Sequence, residues 1–337
     1  MATISLCMIV KNEEPRLRTC LDSLKGLMDE MIIVDTGSTD RTKQIALEYT
    51  DKVYDFTWTG NFSDARNYAF SLASMEYIYS ADADEELDAE NRERFRLLKE
   101  SLVPEVEIVQ MYYANQLEHG TVYNFDRELR PKLFRRMREF VWIEPIHETV
   151  RLEPVVFDSE IEIIHRPGGS HAERDLEHFE RLTEDGGCLS DRLFDFYARE
   201  LYLCGDAQHL DRGIDFFART CEEEGADRDK MLRCCSILVR TGRVWHLPML
   251  MLKYGLRATA LESCSEVCCE MGMYFEEIGD LSEAVMWYFN AYRECSPVLQ
   301  KDAGDVIPLK GLIRCYEKLQ DVETALTYKK RLEELGR

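Results

Sequence analysis

An alternation confined to the first half of the chain most constrains its fold. Short apolar runs at residues 4–10, 31–35, 52–56 and 76–81 are separated by stretches with helical spacing, such as 13–24 with Leu17, Leu21 and Leu24. Ser38 or Asp40 is placed to cap a helix running to about Tyr49, and Ser63-Asp64 one running to about Ser74. Strands that alternate with helices form a parallel sheet covered on both faces, and such sheets hold ligands at the carboxyl ends of their strands. A further helix over 89–102 leads to β-rich runs near 107–115, 122–125, 132–135 and 160–165. The reading is an α/β domain with a mixed-sheet extension.

Arg166-Pro167-Gly168-Gly169 punctuates the chain, and the pattern beyond it is helical. Turns at Cys204-Gly205-Asp206, Thr241-Gly242-Arg243, Ile278-Gly279-Asp280 and Leu319-Gln320-Asp321 recur at intervals of 37, 37 and 41 residues. Tyr274, Gly279, Ala284, Tyr288 and Ala291 stand where tetratricopeptide repeats place aromatic and small residues, and Tyr316, Ala325 and Tyr328 follow in the next unit. The small residues let paired helices approach while the aromatics fill the gaps between pairs. The expected division is an α/β domain over 1–168 and an all-α tetratricopeptide-like domain over 169–337, with an ordinary helical bundle as the alternative for the second half.

The formal charge of −22 is shared almost evenly, with 20 basic and 32 acidic side chains before residue 171 and 22 and 32 after it. Such a surface repels nucleic acid and anionic lipid, so nucleic acid is set aside as a partner, and an acidic acceptor polymer is disfavoured. No apolar stretch approaches the roughly 18–20 residues of a membrane span. The opening Met-Ala-Thr-Ile-Ser-Leu-Cys lacks a basic n-region, so a cytoplasmic location is expected. Ten of the twelve cysteines follow residue 187, without a CxxC pair, and read as reduced core residues.

Four segments end where a parallel sheet presents its ligand. They are Ile9-Val10-Lys11-Asn12-Glu13-Glu14, Val34-Asp35-Thr36-Gly37-Ser38-Thr39-Asp40, Asp64-Ala65-Arg66-Asn67 and Asp82-Ala83-Asp84. Two carboxylates two residues apart at a strand end can share one hard divalent cation. Oxygen ligands suit Mg2+ or Mn2+, which take a carboxylate or two from protein and the rest from water and substrate phosphate. The last segment therefore points to a phosphate-bearing substrate.

In this order and spacing the four segments resemble the family-2 glycosyltransferases of the GT-A fold, over roughly residues 3–167. A subgroup with helical repeats after the catalytic domain, which includes bacterial peptide glycosyltransferases, is similar in further stretches. Its PKLFR, IHE and later histidine elements match Pro131-Lys132-Leu133-Phe134-Arg135, Ile146-His147-Glu148 and His165.

The resemblance implies a UDP-sugar donor and a Mn2+ or Mg2+ cofactor. By family usage Val10, Asn12 and Glu13 line the nucleotide pocket, and Asp35 binds the uracil edge, whose N–H suits a carboxylate. The alternative for Asp35 is a turn cap, and for Arg66, implied against base or ribose, a helix-surface arginine. Asp82 is implied to contact ribose or metal-bound water, and Asp84 to ligate the metal. His165 either completes the metal shell or is a core histidine.

For the base that takes the acceptor proton in an inverting transfer, Glu148 is the first candidate and Glu144 the second. His147 would orient that base, bind phosphate or help hold the metal. Alternation along a strand allows Arg135 to approach the diphosphate while Arg136 faces away, though the basic run 130–138 also reads as a solvated face. Pro145 stands where relatives often have glycine, so the acceptor side is expected to be shaped differently.

The leading expectation is transfer to a protein or peptide acceptor, with the repeats positioning it or mediating a homodimer. Assembly of a cell-surface glycan or lipid-linked saccharide is the second reading. A non-catalytic repeat scaffold with a degenerate transferase domain is the third.

Overall fold

The computed structural model describes residues 1–114, 128–136, 142–143, 149–150, 155–165, 172–223, 225 and 227–335. The chain divides into two compact units, Met1–Ser170 and His171–Arg337. In the first unit β1 (Ile4–Val10), α1 (Leu17–Leu24), β2 (Glu30–Asp35), α2 (Thr42–Leu47), β3 (Val53–Asp55), α3 (Phe62–Ser71) and β4 (Tyr77–Ser80) alternate as expected. They are followed by β5 (Glu85–Glu86), α4 (Ala89–Ser101), β6 (Ile108–Ala114), β7 (Glu128–Arg135), β8 (Trp142–Ile143), β9 (Thr149–Val150) and β10 (Val156–His165). The expected run at 122–125 lies outside the described residues.

One eight-stranded sheet runs β3-β2-β1-β4-β7-β6-β10-β5, and β8 and β9 form a separate pair. β3, β2, β1 and β4 are mutually parallel, β7 is antiparallel to both neighbours, and β5 is antiparallel to β10. The period-2 alternation of β1 sends Ile4, Leu6 and Met8 to one face, where Leu17, Leu21 and Leu24 of α1 cover them. Cys7 goes to the other face, with Ile32, Val34 and Ile78, under Ala69 and Phe70 of α3. Each such aliphatic side chain contributes about 1.5–3 kcal/mol on full burial, so the strands are apolar on both faces.

Three helix starts differ from expectation. α2 begins at Thr42, with Arg41 at the cap position giving no side-chain bond, while Asp40 Oδ1 accepts the Thr42 amide at 2.9 Å. Asn61 caps α3, its side chain accepting from the Ser63 amide at 2.9 Å, so Ser63 and Asp64 fall in the first turn. α1 begins at Leu17 because Asn12 adopts φ 56° and the Glu13 and Glu14 amides are taken by Thr42 and Asp40.

The second unit is helical throughout: α5 (Ala172–Thr183), α6 (Asp191–Cys204), α7 (Ala207–Glu222), α8 (Arg228–Val244), α9 (Pro248–Thr259), α10 (Ser265–Glu277), α11 (Leu281–Arg293), α12 (Val306–Lys318) and α13 (Val322–Glu334). Three of the four repeat turns are turns. Asp206, Asp280 and Asp321 each accept an amide from the first turn of the helix that follows.

Thr241-Gly242-Arg243 instead lies in the last turn of α8. A Cβ on Gly242 would meet the Met251 backbone nitrogen at 2.7 Å, so this glycine serves close packing of α8 against α9. All twelve cysteines are free thiols, and only Cys188 and Cys204 are exposed. Among the described residues no helix is long and apolar enough to cross a membrane.

Candidate active site

The parallel strands β1, β2 and β4 lie side by side in the sheet, and the loops leaving β1 and β2 are fastened together. Gly37, at φ 105°, lets the chain turn after β2. Thr36 donates its amide to the Val10 carbonyl at 3.0 Å. Asn12 donates its amide to Ser38 Oγ at 2.9 Å, and its Oδ1 accepts from the Thr39 amide at 2.8 Å. The left-handed backbone of Asn12, tolerated by this residue type, lets it bridge the two loops.

Asp35 is buried, and both its oxygens accept from Ser38, Oδ1 at 3.0 Å from the amide and 2.6 Å from the hydroxyl. The carboxylate is thus turned into its own loop, which is the turn-capping geometry. Val10 is buried at the strand end, and Glu13 Oε2 accepts from Arg16 at 3.0 Å.

Beyond β4 the burial alternates. Ala83, Glu85 and Leu87 turn inward, while Asp82, Asp84 and Glu86 remain partly exposed. Asp82 and Asp84 therefore share a side, held from behind by the Glu85 amide on the Asp82 carbonyl at 3.2 Å and the Leu87 amide on Ser23 Oγ at 3.2 Å.

Arg66 reaches this turn from α3. Its Nη1 donates to Ser80 Oγ at 3.0 Å and its Nη2 to Asp82 Oδ1 at 2.8 Å. Burial opposes charge on Asp82, but the cations of Arg66 and Lys132 outweigh it and the repulsion of Asp84, holding the carboxyl below its usual range.

Lys132 is the residue that sequence reasoning passed over. Because β7 runs antiparallel to β4, Leu133 faces Tyr79 and Arg135 faces Tyr77. Arg135, expected near the diphosphate, is thereby placed at the amino end of β4, away from Asp82. Lys132 lies nearer the acidic turn and forms a buried ion pair with Glu85, the two side chains 8% and 3% exposed. It also lies 5.4 Å from the Tyr113 ring centroid, with Arg130 at 4.2 Å. Burial raises the Glu85 carboxyl above its ordinary range, although Lys132 pulls the other way. The signal that could have found it is the apolar pair Leu133-Phe134 directly after it, which marks this part of the basic run as a buried strand.

The β10 backbone brings His165 opposite Glu85, next to Asp84; its side chain is outside the described residues, as are Glu144, His147 and Glu148.

Residues 5–149 match the family model described as glycosyl transferase family 2. Over that stretch the first unit carries a domain similar to the family-2 glycosyltransferases. That unit is an eight-stranded mixed sheet flanked by helices, and the described residues of the second unit are built of helices. A TPR repeat-containing protein of Synechococcus elongatus is 37% identical over 150 residues, 44% of this chain and 36% of the relative. A glycosyltransferase of Rickettsia typhi is 33% identical over 122 residues, 34% of this chain and 41% of the relative. The SPbeta prophage-derived glycosyltransferase SunS of Bacillus subtilis is 38% identical over 92 residues, 27% and 22% of the two chains.

This chain spans less than half the length of each of these relatives. Among solved structures, glucosyl-3-phosphoglycerate synthase from Mycobacterium tuberculosis, crystallised with Mg2+ and uridine-diphosphate, matches at a TM-score of 0.40. The identity is 14%, over 56% of this chain and 81% of that one, a likeness too slight to argue from.

The acidic turn of the first unit fits a hard divalent cation. It offers carboxylate oxygens on one partly exposed side, and Asp82 is held ionised. Among the described residues no set of three or more His, Cys, Asp and Glu side chains converges as a metal site.

Proposed function

We propose that the chain is an inverting, metal-dependent glycosyltransferase that moves a sugar from a UDP-sugar to a protein or peptide acceptor. The observation that carries this reading is the Arg66–Asp82 pair. It keeps one carboxylate charged and oriented beside Asp84 at the end of β4, within a domain similar to the family-2 glycosyltransferases.

In this reading Asp84, with Asp82 beside it, holds Mn2+ or Mg2+, and His165 is the candidate further ligand. The cation, when bound, neutralises charge that develops on the departing nucleoside diphosphate. Asp82 meets the ribose or a metal-bound water, and Arg66 sets its orientation. The loops carrying Val10, Asn12, Glu13 and Asp35 line the nucleotide pocket. Asp35 reaches the uracil N–H once its carboxylate turns from Ser38, an exchange of one N–H donor for another.

Lys132 replaces Arg135 as the cation beside the acidic turn. Glu148, or else Glu144, takes the acceptor proton, with His147 as its neighbour. The helical repeats present the acceptor or join two copies.

The deciding experiment measures UDP-sugar hydrolysis and donor-induced thermal shifts with Mn2+, with Mg2+ and in excess chelator. Donor binding and turnover that need the metal, and turnover lost in Asp84→Ala with the fold retained, are expected. Full activity in chelator or in that variant overturns the metal assignment. No shift with any UDP-sugar overturns the donor assignment and favours a scaffold.

A further inference from the structure

Two pairs of thiols in the helical unit lie at non-bonded contact. Cys221 Sγ is 3.9 Å from Cys235 Sγ, and Cys268 Sγ is 3.7 Å from Cys295 Sγ. The spacings are alike and the surroundings are not. Cys221, on α7, and Cys235, on α8, are both fully buried. Cys268, on α10, is buried, but Cys295 follows the end of α11 and is partly exposed. Solvent therefore reaches one sulfur of the second pair and neither of the first.

We propose that Cys268 and Cys295 form a peroxide-reactive site that closes to a disulfide, with Cys295 the thiol that attacks the oxidant and Cys268 the resolving thiol. The flanking chain holds the pair in register. Ser265 donates its amide to the Ser296 carbonyl at 3.2 Å, and Glu266, fully buried, accepts the amides of Val298, Leu299 and Gln300 at 2.6–3.0 Å. The segment after Cys295 is thus tied to the first turn of α10, the turn that carries Cys268.

Closing from contact to a bond of ~2.05 Å asks the sulfurs to approach by less than ~2 Å. Cys295 lies just past the end of α11, where its amide closes the helix end on the Asn290 carbonyl at 3.1 Å. Cys295 is the sulfur of the pair that solvent reaches, so it is the one that meets a peroxide first, and buried Cys268 is left to resolve it.

The chemistry balances with a hydroperoxide as oxidant. The Cys295 thiolate takes the distal oxygen of hydrogen peroxide as the O–O bond breaks, and hydroxide leaves and is protonated to water. Cys268 then attacks the sulfenic sulfur, the S–S bond forms, and the sulfenic oxygen departs as a second water with the Cys268 proton. Two thiols are oxidised and one peroxide is reduced.

Exposing the full-length chain to hydrogen peroxide, alkylating under native conditions and mapping non-reduced peptides tests the site. The expected product is a Cys268–Cys295 cross-link, two hydrogens lighter and reversed by reductant, with Cys221 and Cys235 recovered as thiols after unfolding. Cys295→Ser removes the cross-link, and in Cys268→Ser a sulfenic-acid trap accumulates on Cys295. Peroxide that oxidises exposed Cys188 and Cys204 while leaving Cys295 a free thiol overturns the proposal. So does cross-linking of Cys221 to Cys235 before the other pair. Wild-type peptide mapping alone decides the matter if either variant fails to fold.

Discussion

Arg66, in the second turn of α3, places its Nη2 2.8 Å from Asp82 Oδ1 and its Nη1 3.0 Å from Ser80 Oγ, tying a helix to the end of β4. The guanidinium side chain is 11% exposed and the Asp82 carboxylate 38%, so the pair is anchored from the protein side and open on the other. This geometry orients a charge at a strand end without consuming it.

Replacing Arg66 with Met is expected to weaken UDP-sugar binding in the presence of Mn2+ by about tenfold or more, the effect of one lost interaction of about 1.4 kcal/mol. Arg66→Lys restores part of the loss, because one ammonium does not span Ser80 and Asp82 as a planar fork does. Titration calorimetry reads both. Unchanged affinity in Arg66→Met would remove the pair from the donor site.

Lys132→Met leaves the Glu85 carboxylate buried without its partner and is expected to cost about 3–5 kcal/mol in urea unfolding. Lys132→Met combined with Glu85→Gln removes both charges and is expected to recover most of that stability. A double variant no more stable than the single one contradicts the pairing.

Glu30 binds Lys52, Ser5 and Ser74 around a carboxylate only 2% exposed. Burial opposes its charge, yet these hydrogen bonds prevail and bring the carboxyl from an ordinary 4.5 to about 2. The unfolded chain therefore binds the proton more readily than the folded one. The resulting stability, on the order of 3 kcal/mol, is fully present above pH 4.5 and is lost as pH falls toward about 2. Unfolding of Glu30→Gln and wild type should differ most at neutral pH, with the gap shrinking through that window. A constant gap would exclude linkage at this site.

Tyr288 of α11 is fully buried between two glycines of neighbouring helices. A Cβ on Gly311 of α12 would come within 2.5 Å of its ring, and one on Gly272 of α10 within 2.8 Å. Gly311→Ala is expected to destabilise the chain by about 1–3 kcal/mol through overpacking. Gly255→Ala on α9, where the nearest atom is Met271 Sδ at 3.4 Å, is the neutral control. Thermal melts compare them, and equal midpoints for the two variants would refute the packing account.

Much of this molecule was legible before its structure, and for identifiable reasons. β1 and β2 are continuous apolar runs because both sheet faces are covered, and a strand buried on both faces has no polar alternation to hide it. The acidic tripeptide was legible as a strand-end feature because carboxylates after an apolar run have few places to go. Gly279 marked a helix end through its positive φ of 85°, Gly205 through the close approach of the Leu201 carbonyl, and Asp321 a helix start through its side-chain cap. Gly242 misled because a glycine used for close helix packing looks the same in sequence as one used for a turn.

What the sequence alone determined is local. It set the period of each strand and helix, the residues able to cap or turn, and the order of the motifs that resemble a family-2 glycosyltransferase. What only the tertiary structure decided is which charge meets which. Lys132 and Arg135 lie three residues apart on one strand, and sequence favoured Arg135. The antiparallel register of β7 against β4 sets Arg135 beside Tyr77 and brings Lys132 to Glu85 and Asp82. Register is a property of two strands together, fixed by how both bury their faces, so no single stretch of chain encodes it.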